Sequence, residues 1–261
     1  MIMKPRIYHK LIRKIEKTIN KNNQIISEFL PKQVIIINFT LKGCKFEITT
    51  PTEKYRIEEY GDEEEFTHQI LDEIKPRDVV YDIGACIGFI TVHACKKGAY
   101  VIAFEPDASL RSRLLTNLQL NVLNNYKIVE WSVSDQQGFT TLYTDGVNGW
   151  SPSFLEIGKS GAVNVPTDTI DEALDRGELP WPDIVKIDIE GAEILALRGM
   201  QRTLNSQNAP RAIFIEIHPD YLSMMNSSTL EVQDFLSSLD YSIVYCKPRN
   251  LQLHCIYKKK L

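Results

Sequence analysis

The chain has 261 residues, 43% of them hydrophobic and 25% charged, with a formal net charge of −4. That composition excludes a disordered tail, a collagen and a coiled coil, and no apolar run reaches the ~18 residues of a membrane span. The acidic balance argues against a duplex-binding protein. No secretory leader is legible, so the expected location is cytoplasmic.

The charge is uneven. Residues 1–21 carry Lys4, Arg6, Lys10, Arg13, Lys14, Lys17 and Lys21 against Glu16 alone. Ile7, Leu11, Ile12, Ile15 and Ile19 fall on one face at helical spacing. Such a basic amphipathic helix docks on its own domain or contacts a membrane surface or glycolipid. Two β-rich runs follow, Gln33–Phe39 and Lys45–Thr49. The acidic stretch from Glu58 to Glu73 reads as a helix stopped by Pro76. These elements form an N-terminal helical and β extension, residues 1–77.

From residue 78 strands and helices alternate. The strands are Asp78–Ile83, Tyr100–Phe104, Lys127–Trp131, Ile184–Ile187 and Ala212–Ile217. The helices are Phe89–Lys96, Ser109–Leu120, Ala192–Leu204 and Thr229–Leu239. A polar stretch lies between Thr144 and Ser160. Alternation of this kind predicts a mostly parallel sheet with helices on both faces. Ser242–Cys246 and Leu251–Tyr257 are joined too closely for a parallel crossover, so they form an antiparallel hairpin. Residues 78–261 are thus one α/β domain. The cysteines, at 44, 86, 95, 246 and 255, match no zinc or disulfide pattern and read as reduced thiols.

Chemistry gathers at strand ends, where open α/β sheets bind ligands. Asp82-Ile83-Gly84-Ala85-Cys86-Ile87-Gly88 is a glycine turn between strand and helix. Cys86 and Phe89 spoil the dinucleotide fingerprint, so the turn suits a nucleoside without pyrophosphate. Glu105, in Phe104-Glu105-Pro106-Asp107, is placed to accept from ribose hydroxyls. Trp131, Ser132 and Asp135 stand where the base would lie, although Trp131 also suits an ordinary core. Asp188 ends the fourth strand and Glu190 follows it; Glu190 and Glu193 also suit a helix N-terminus. Glu216 and His218 share one side of the fifth strand. Asp188, Glu190, Glu216 and His218 are hard ligands for a divalent ion, but their spacing forms no metal motif, so no metal ligand is assigned.

Together these residues resemble the FkbM-type family of S-adenosylmethionine-dependent methyltransferases. The matching pieces are VYDIGACIGFIT, AFEPD with LLTNLQLN, SVSDQQG, TDTIDEAL, PDIVKIDIEGAEILALRGM and IFIEIHP, across residues 78–219. The resemblance implies a Rossmann-like, seven-stranded class I methyltransferase sheet with S-adenosylmethionine as donor. It implies that Asp82, Gly84, Ala85 and Gly88 cradle the methionine and ribose, and that Glu105 and Pro106 hold the ribose. Ser132 and Asp135 would face the adenine, and Asp188 and Glu190 would stand beside the methyl. Cys86 departs from the family loop, where a small or amide residue such as Asn is common.

The implied reaction is O-methylation of a sugar, glycan or natural-product hydroxyl. Asp188 or His218 is the candidate base, with Glu190 and Glu216 orienting the acceptor. The alternatives are an RNA methyltransferase on the same fold and a non-catalytic cofactor-binding module. Acceptor specificity is expected from the N-terminal segment and from the 144–160 stretch, which carries Trp150, Ser151, Ser153 and Phe154.

Overall fold

The computed structural model describes residues 32–37, 41–58, 64–149, 152–156 and 159–260. The basic helix expected at 7–19, and Trp150 and Ser151, lie outside the described residues.

β1 (Gln33–Ile37) and β2 (Cys44–Ile48) pair antiparallel, followed by α1 (Pro51–Glu58) and α2 (Glu64–Glu73). Next come β3 (Val79–Ile83), α3 (Phe89–Lys96), β4 (Tyr100–Phe104), α4 (Ala108–Leu120) and β5 (Tyr126–Val129). β6 (Ser132–Val133), β7 (Gly138–Thr144) and β8 (Gly161–Asp168) form a separate three-stranded sheet. α5 (Ile170–Asp175), β9 (Ile184–Ile187), α6 (Glu193–Arg198), α7 (Gln201–Leu204), β10 (Ala212–Ile217), α8 (Pro219–Met224) and α9 (Thr229–Ser238) follow. β11 (Tyr241–Arg249) and β12 (Gln252–Lys259) close the chain.

The main sheet has seven strands in the order β11-β12-β10-β9-β3-β4-β5. β10, β9, β3, β4 and β5 are parallel, and β12 is antiparallel to both of its neighbours. β9 and β10 are buried along their whole length, as strands covered on both faces must be. Alternate residues feed two cores. Val80, Val101 and Phe214 join α3 and α4 on one face, while Tyr81, Ile102 and Val185 join α6 and α9 on the other. Among the described residues no helix is long and apolar enough to cross a membrane.

The N-terminal strands share the first core. Phe46 stacks on Phe89, with ring centroids 5.6 Å apart. The open edge of β2 is satisfied by side chains of α4: Glu47 N donates to Asn117 Oδ1 (2.8 Å), and Lys45 N to Asn121 Oδ1 (2.9 Å). Arg113 ties α4 to Glu47 and, at 2.7 Å, to Glu53 of α1.

Four details differ from the sequence reading. The helix expected over 192–204 is two helices. A Cβ on Gly199 would lie 1.9 Å from Ser134 O, so the chain turns there against β6. The new N-terminus at α7 is capped by Asp171, which accepts from Arg202 N and Thr203 N, both at 2.8 Å. The polar stretch lies where expected, but β7 and β8 on either side of it, and β6, were not read from the sequence. The terminal strands are longer than expected, and Pro248 lies inside β11, where the sheet edge tolerates its missing N–H. Finally, Cys246 and Cys255, read as reduced thiols, face each other across β11 and β12 and are joined as a disulfide. Cys44, Cys86 and Cys95 are free.

Candidate active site

The glycine turn is fixed by the strands on either side of it. Gly84 has φ +79°, and a Cβ there would lie 2.0 Å from Asp188 O, so the end of β9 presses against it. Gly84 N and Ala85 N both donate to Phe104 O, at 3.1 and 3.0 Å. Cys86 N then donates to Glu105 Oε2 (2.8 Å), and Asp107 N to Glu105 Oε1 (2.9 Å). Asp107 caps α4 through Ser109 N and Leu110 N. The carboxylate of Glu105 is thus held rigidly at the tip of β4, only 2% exposed. Burial pushes its pKa up to about 7, against the pull of those two backbone donors and of Arg56. Its oxygens offer about four acceptor sites, so two remain for a ligand.

Gly84, Glu105, Pro106, Ser132 and Asp188 line one cleft with Cys86, Trp131, Ser153 and Phe154. The space within the cleft, the open solvent at its mouth included, is about 580 Å³. A glycine turn, a buried acid with spare acceptors and an aromatic wall fit an adenosine with its methionine arm. Four of the expected cofactor residues stand elsewhere. Asp82 lies beneath the turn, accepting from Thr91 Oγ1 (2.6 Å) and paired with Lys186 Nζ (3.2 Å). Ala85 is buried, and Gly88 packs on Leu114. Asp135 is exposed and outside the cleft lining.

Asp188 forms the cleft wall and joins it to a buried cluster of acids and histidines. His218 is 3% exposed. Its Nδ1 meets Glu193 Oε1 at 2.6 Å, and its Nε2 lies 3.5 Å from Glu190 Oε2 and 3.8 Å from Glu216 Oε1. Glu216 in turn meets His254 Nε2 at 3.3 Å and Arg249 at 3.7 Å. Glu190 adopts φ +51° and Gly191 φ +97°. A Cβ at 191 would lie 2.6 Å from Tyr221 Cβ, so this turn is wedged against α8. All four residues expected around the acceptor are therefore brought together.

Their charges interact. Burial and the Glu216 charge raise the Asp188 pKa, and burial lifts Glu190 to about 7. Burial alone would lower the His218 pKa, but Glu190, Glu193 and Glu216 outweigh it and raise it to about 10. Burial would likewise raise Glu216, but His254, His218 and Arg249 hold it low. Lys186 lies 3.7 Å from Asp188 and donates to Gly84 O at 2.8 Å, so it spans the turn and the acids. It sits inside the apolar strand β9, and the sequence reading assigned it no role. Glu193, read as a helix N-terminal charge, accepts from Gly191 N at 3.1 Å and also orients His218. Thr91, His254 and Arg249 carried no local signal.

The strand order and the site define a class I methyltransferase. Residues 82–243 match the methyltransferase FkbM domain family, and the chain belongs to it. Its donor is S-adenosylmethionine. The chain is 29% identical over 180 residues to the hexuronic acid methyltransferase AglP of Haloferax volcanii, a match covering 67% of this chain and 71% of that protein. It is 28% identical over 205 residues to the AMB antimetabolite synthetase AmbE of Pseudomonas aeruginosa, covering 60% of this chain but only 10% of that protein. Among solved structures, the methyltransferase FkbM of Methylobacillus flagellatus KT superposes with a TM-score of 0.51 at 18% identity. That match covers 70% of this chain and 43% of the other, and it carries the fold alone.

Proposed function

We propose that the protein transfers the methyl group of S-adenosylmethionine to a hydroxyl oxygen of a sugar or glycan. The observation that carries this reading is Asp188, a carboxylate on the cleft wall backed by Glu190, Glu216 and His218 at the ends of β9 and β10. The hexuronic acid methyltransferase AglP supports a sugar as the acceptor class. The sulfonium of the donor supplies an electrophilic methyl carbon and a good leaving group. Glu105 holds the ribose, the Gly84 turn carries the methionine arm, and Trp131 with Ser132 flanks the base. The remaining work is to place the acceptor oxygen in line and remove its proton.

Asp188 takes that proton. Its side chain is 32% exposed, more than its buried neighbours, and its raised pKa makes it a better base than an ordinary carboxylate. As the proton moves to Asp188, the oxygen–carbon bond forms, the carbon–sulfur bond breaks, and the electron pair returns to sulfur. Asp188→Asn tests the assignment with labelled donor and a panel of hexuronic acid-containing glycans, neutral glycans and RNA. Transfer to a glycan, lost in the variant while S-adenosylhomocysteine still binds, is the expected result. Transfer to RNA alone, or turnover unchanged by the variant, overturns it.

A further inference from the structure

We propose that Asp188, Glu190 and His218 form a site for one divalent cation of the magnesium–manganese class. Each residue offers one ligand atom, and the three atoms lie within 4.8 Å of one another. Bonds of about 2.1 Å set cis ligands about 3 Å apart and trans ligands about 4.2 Å apart. The Glu190 Oε2 to His218 Nε2 separation of 3.5 Å already falls between those values. A closure of about half an ångström brings the widest pair within reach.

A cluster of acids alone would not make a site; the imidazole does. His218 is 97% buried, and its Nε2 has no hydrogen-bond partner although it faces Glu190. Its other nitrogen is 2.6 Å from Glu193, itself fully buried. The carboxylate on Nδ1 leaves Nε2 as the nitrogen turned toward Asp188 and Glu190, where a bound ion would displace its proton, as at metal-bound histidines with a carboxylate partner. Charge points the same way. Asp82, Asp188, Glu190, Glu193 and Glu216 crowd this region, and among the described residues the neighbouring fixed cations are Lys186, Arg249 and Lys159, whose charge acts on Glu190. Buried carboxylates in such excess call for a further positive charge. Two carboxylates and one imidazole suit manganese or magnesium better than calcium, whose ligands are oxygens.

The ion's role rests on the acceptor reading above; its binding does not. Bound there, it ligates the acceptor hydroxyl beside the cleft and lowers its pKa. The free oxygen of Asp188 then takes the proton. The competing state is a protonated His218 serving as the internal cation, with no metal.

The experiment uses the full chain, stripped with EDTA and dialysed, and titrated with Mn²⁺ while free ion is read by electron paramagnetic resonance. S-adenosylhomocysteine binding is measured on the same samples. The expected result is one saturable Mn²⁺ per chain, weakened at least tenfold in Glu190→Gln and in His218→Asn. Glu193→Gln serves as a milder variant if either fails to fold. Retained S-adenosylhomocysteine binding certifies each variant's fold. No saturable Mn²⁺ binding by a wild type that binds S-adenosylhomocysteine overturns the metal site and leaves the methyltransferase reading standing. Mn²⁺ binding unchanged in both variants also overturns it. Glycan methylation undiminished in excess EDTA overturns the ion's catalytic role.

Discussion

If Glu105 holds the ribose as proposed, its titration should make cofactor binding depend on pH. Its carboxylate is buried, close to Asp107 and within the field of Arg56, and burial raises its pKa to about 7 in the free protein. Ribose hydroxyls donate hydrogen bonds, so the ionised form is the competent one. With a pKa near 7, the competent fraction is about 0.09 at pH 6 and about 0.91 at pH 8. Apparent affinity scales with that fraction, so the Kd for S-adenosylhomocysteine should tighten about tenfold from pH 6 to pH 8. The sign is fixed by the direction of the shift: binding expels a proton that a carboxylate of ordinary pKa would already have lost. Calorimetric titrations at pH 6, 7 and 8, in buffers of different ionisation heat, read both the affinity and the released proton. Glu105→Gln removes the titration and should flatten the profile while weakening binding at pH 8. A wild-type Kd independent of pH over this range would refute the argument. So would a slope that survives in Glu105→Gln, which would assign the titration to another group.

Other expectations follow from single contacts. Asp188→Asn should slow methyl transfer by about 10²-fold or more with little change in S-adenosylhomocysteine affinity, read by single-turnover kinetics beside calorimetry. Lys186→Met leaves Asp82 buried with Thr91 as its remaining side-chain partner. Breaking a buried pair in this way should cost about 3–5 kcal/mol, measured by urea denaturation. Gly199→Ala drives a Cβ into Ser134 O, where an ideal Cβ would sit 1.9 Å away. A loss of about 2 kcal/mol should lower Tm by roughly 4–8 °C, and an unchanged melting curve would count against the tight turn between α6 and α7.

Strands and glycine turns were legible because local pattern decides them. Tyr100–Phe104, Ile184–Ile187 and Ala212–Ile217 have the bounds the sequence implies, since each is a short apolar run closed by polar residues. The site residues contributed by strand ends, Glu105, Asp188, Glu216 and His218, follow from the same logic. Long-range effects were not legible. The break at Gly199 depends on a backbone carbonyl of Ser134 and a cap from Asp171, both far away in sequence. Asp135 reads as a base-facing residue from its place after a strand, yet it is exposed and outside the cleft lining, just past Ser134, whose N–H donates to Asp168 O. Lys186 is visible in the sequence, but its pairing with Asp82 needs β3 and β9 to be neighbours in register.

That register also separates the proposed donor-binding residues from the proposed acceptor-binding ones. β3 and β4 carry the Gly84 turn and Glu105, whereas β9 and β10 carry Asp188, Glu190, Glu216 and His218. The two groups meet where Asp188 O approaches Gly84 and where Lys186 bridges Gly84 O to Asp188. On the proposed assignment, a substitution in the acid–imidazole cluster should alter proton removal while leaving Glu105 untouched. Of the β7–β8 connection, the described residues Pro152, Ser153 and Phe154 form the roof of the cleft. Ser153 Oγ donates to Glu190 O at 3.1 Å, and Ser153 and Phe154 line the cleft. Thr50 and Thr52 bind the carbonyls of Val147 and Asn148, so the N-terminal segment braces that roof from outside. Residues that select the acceptor should therefore be sought in the roof and its brace. Exchanging Phe154 for Ala should change KM for the acceptor more than the Kd of S-adenosylhomocysteine, because the ribose and glycine-turn contacts lie on the strands below.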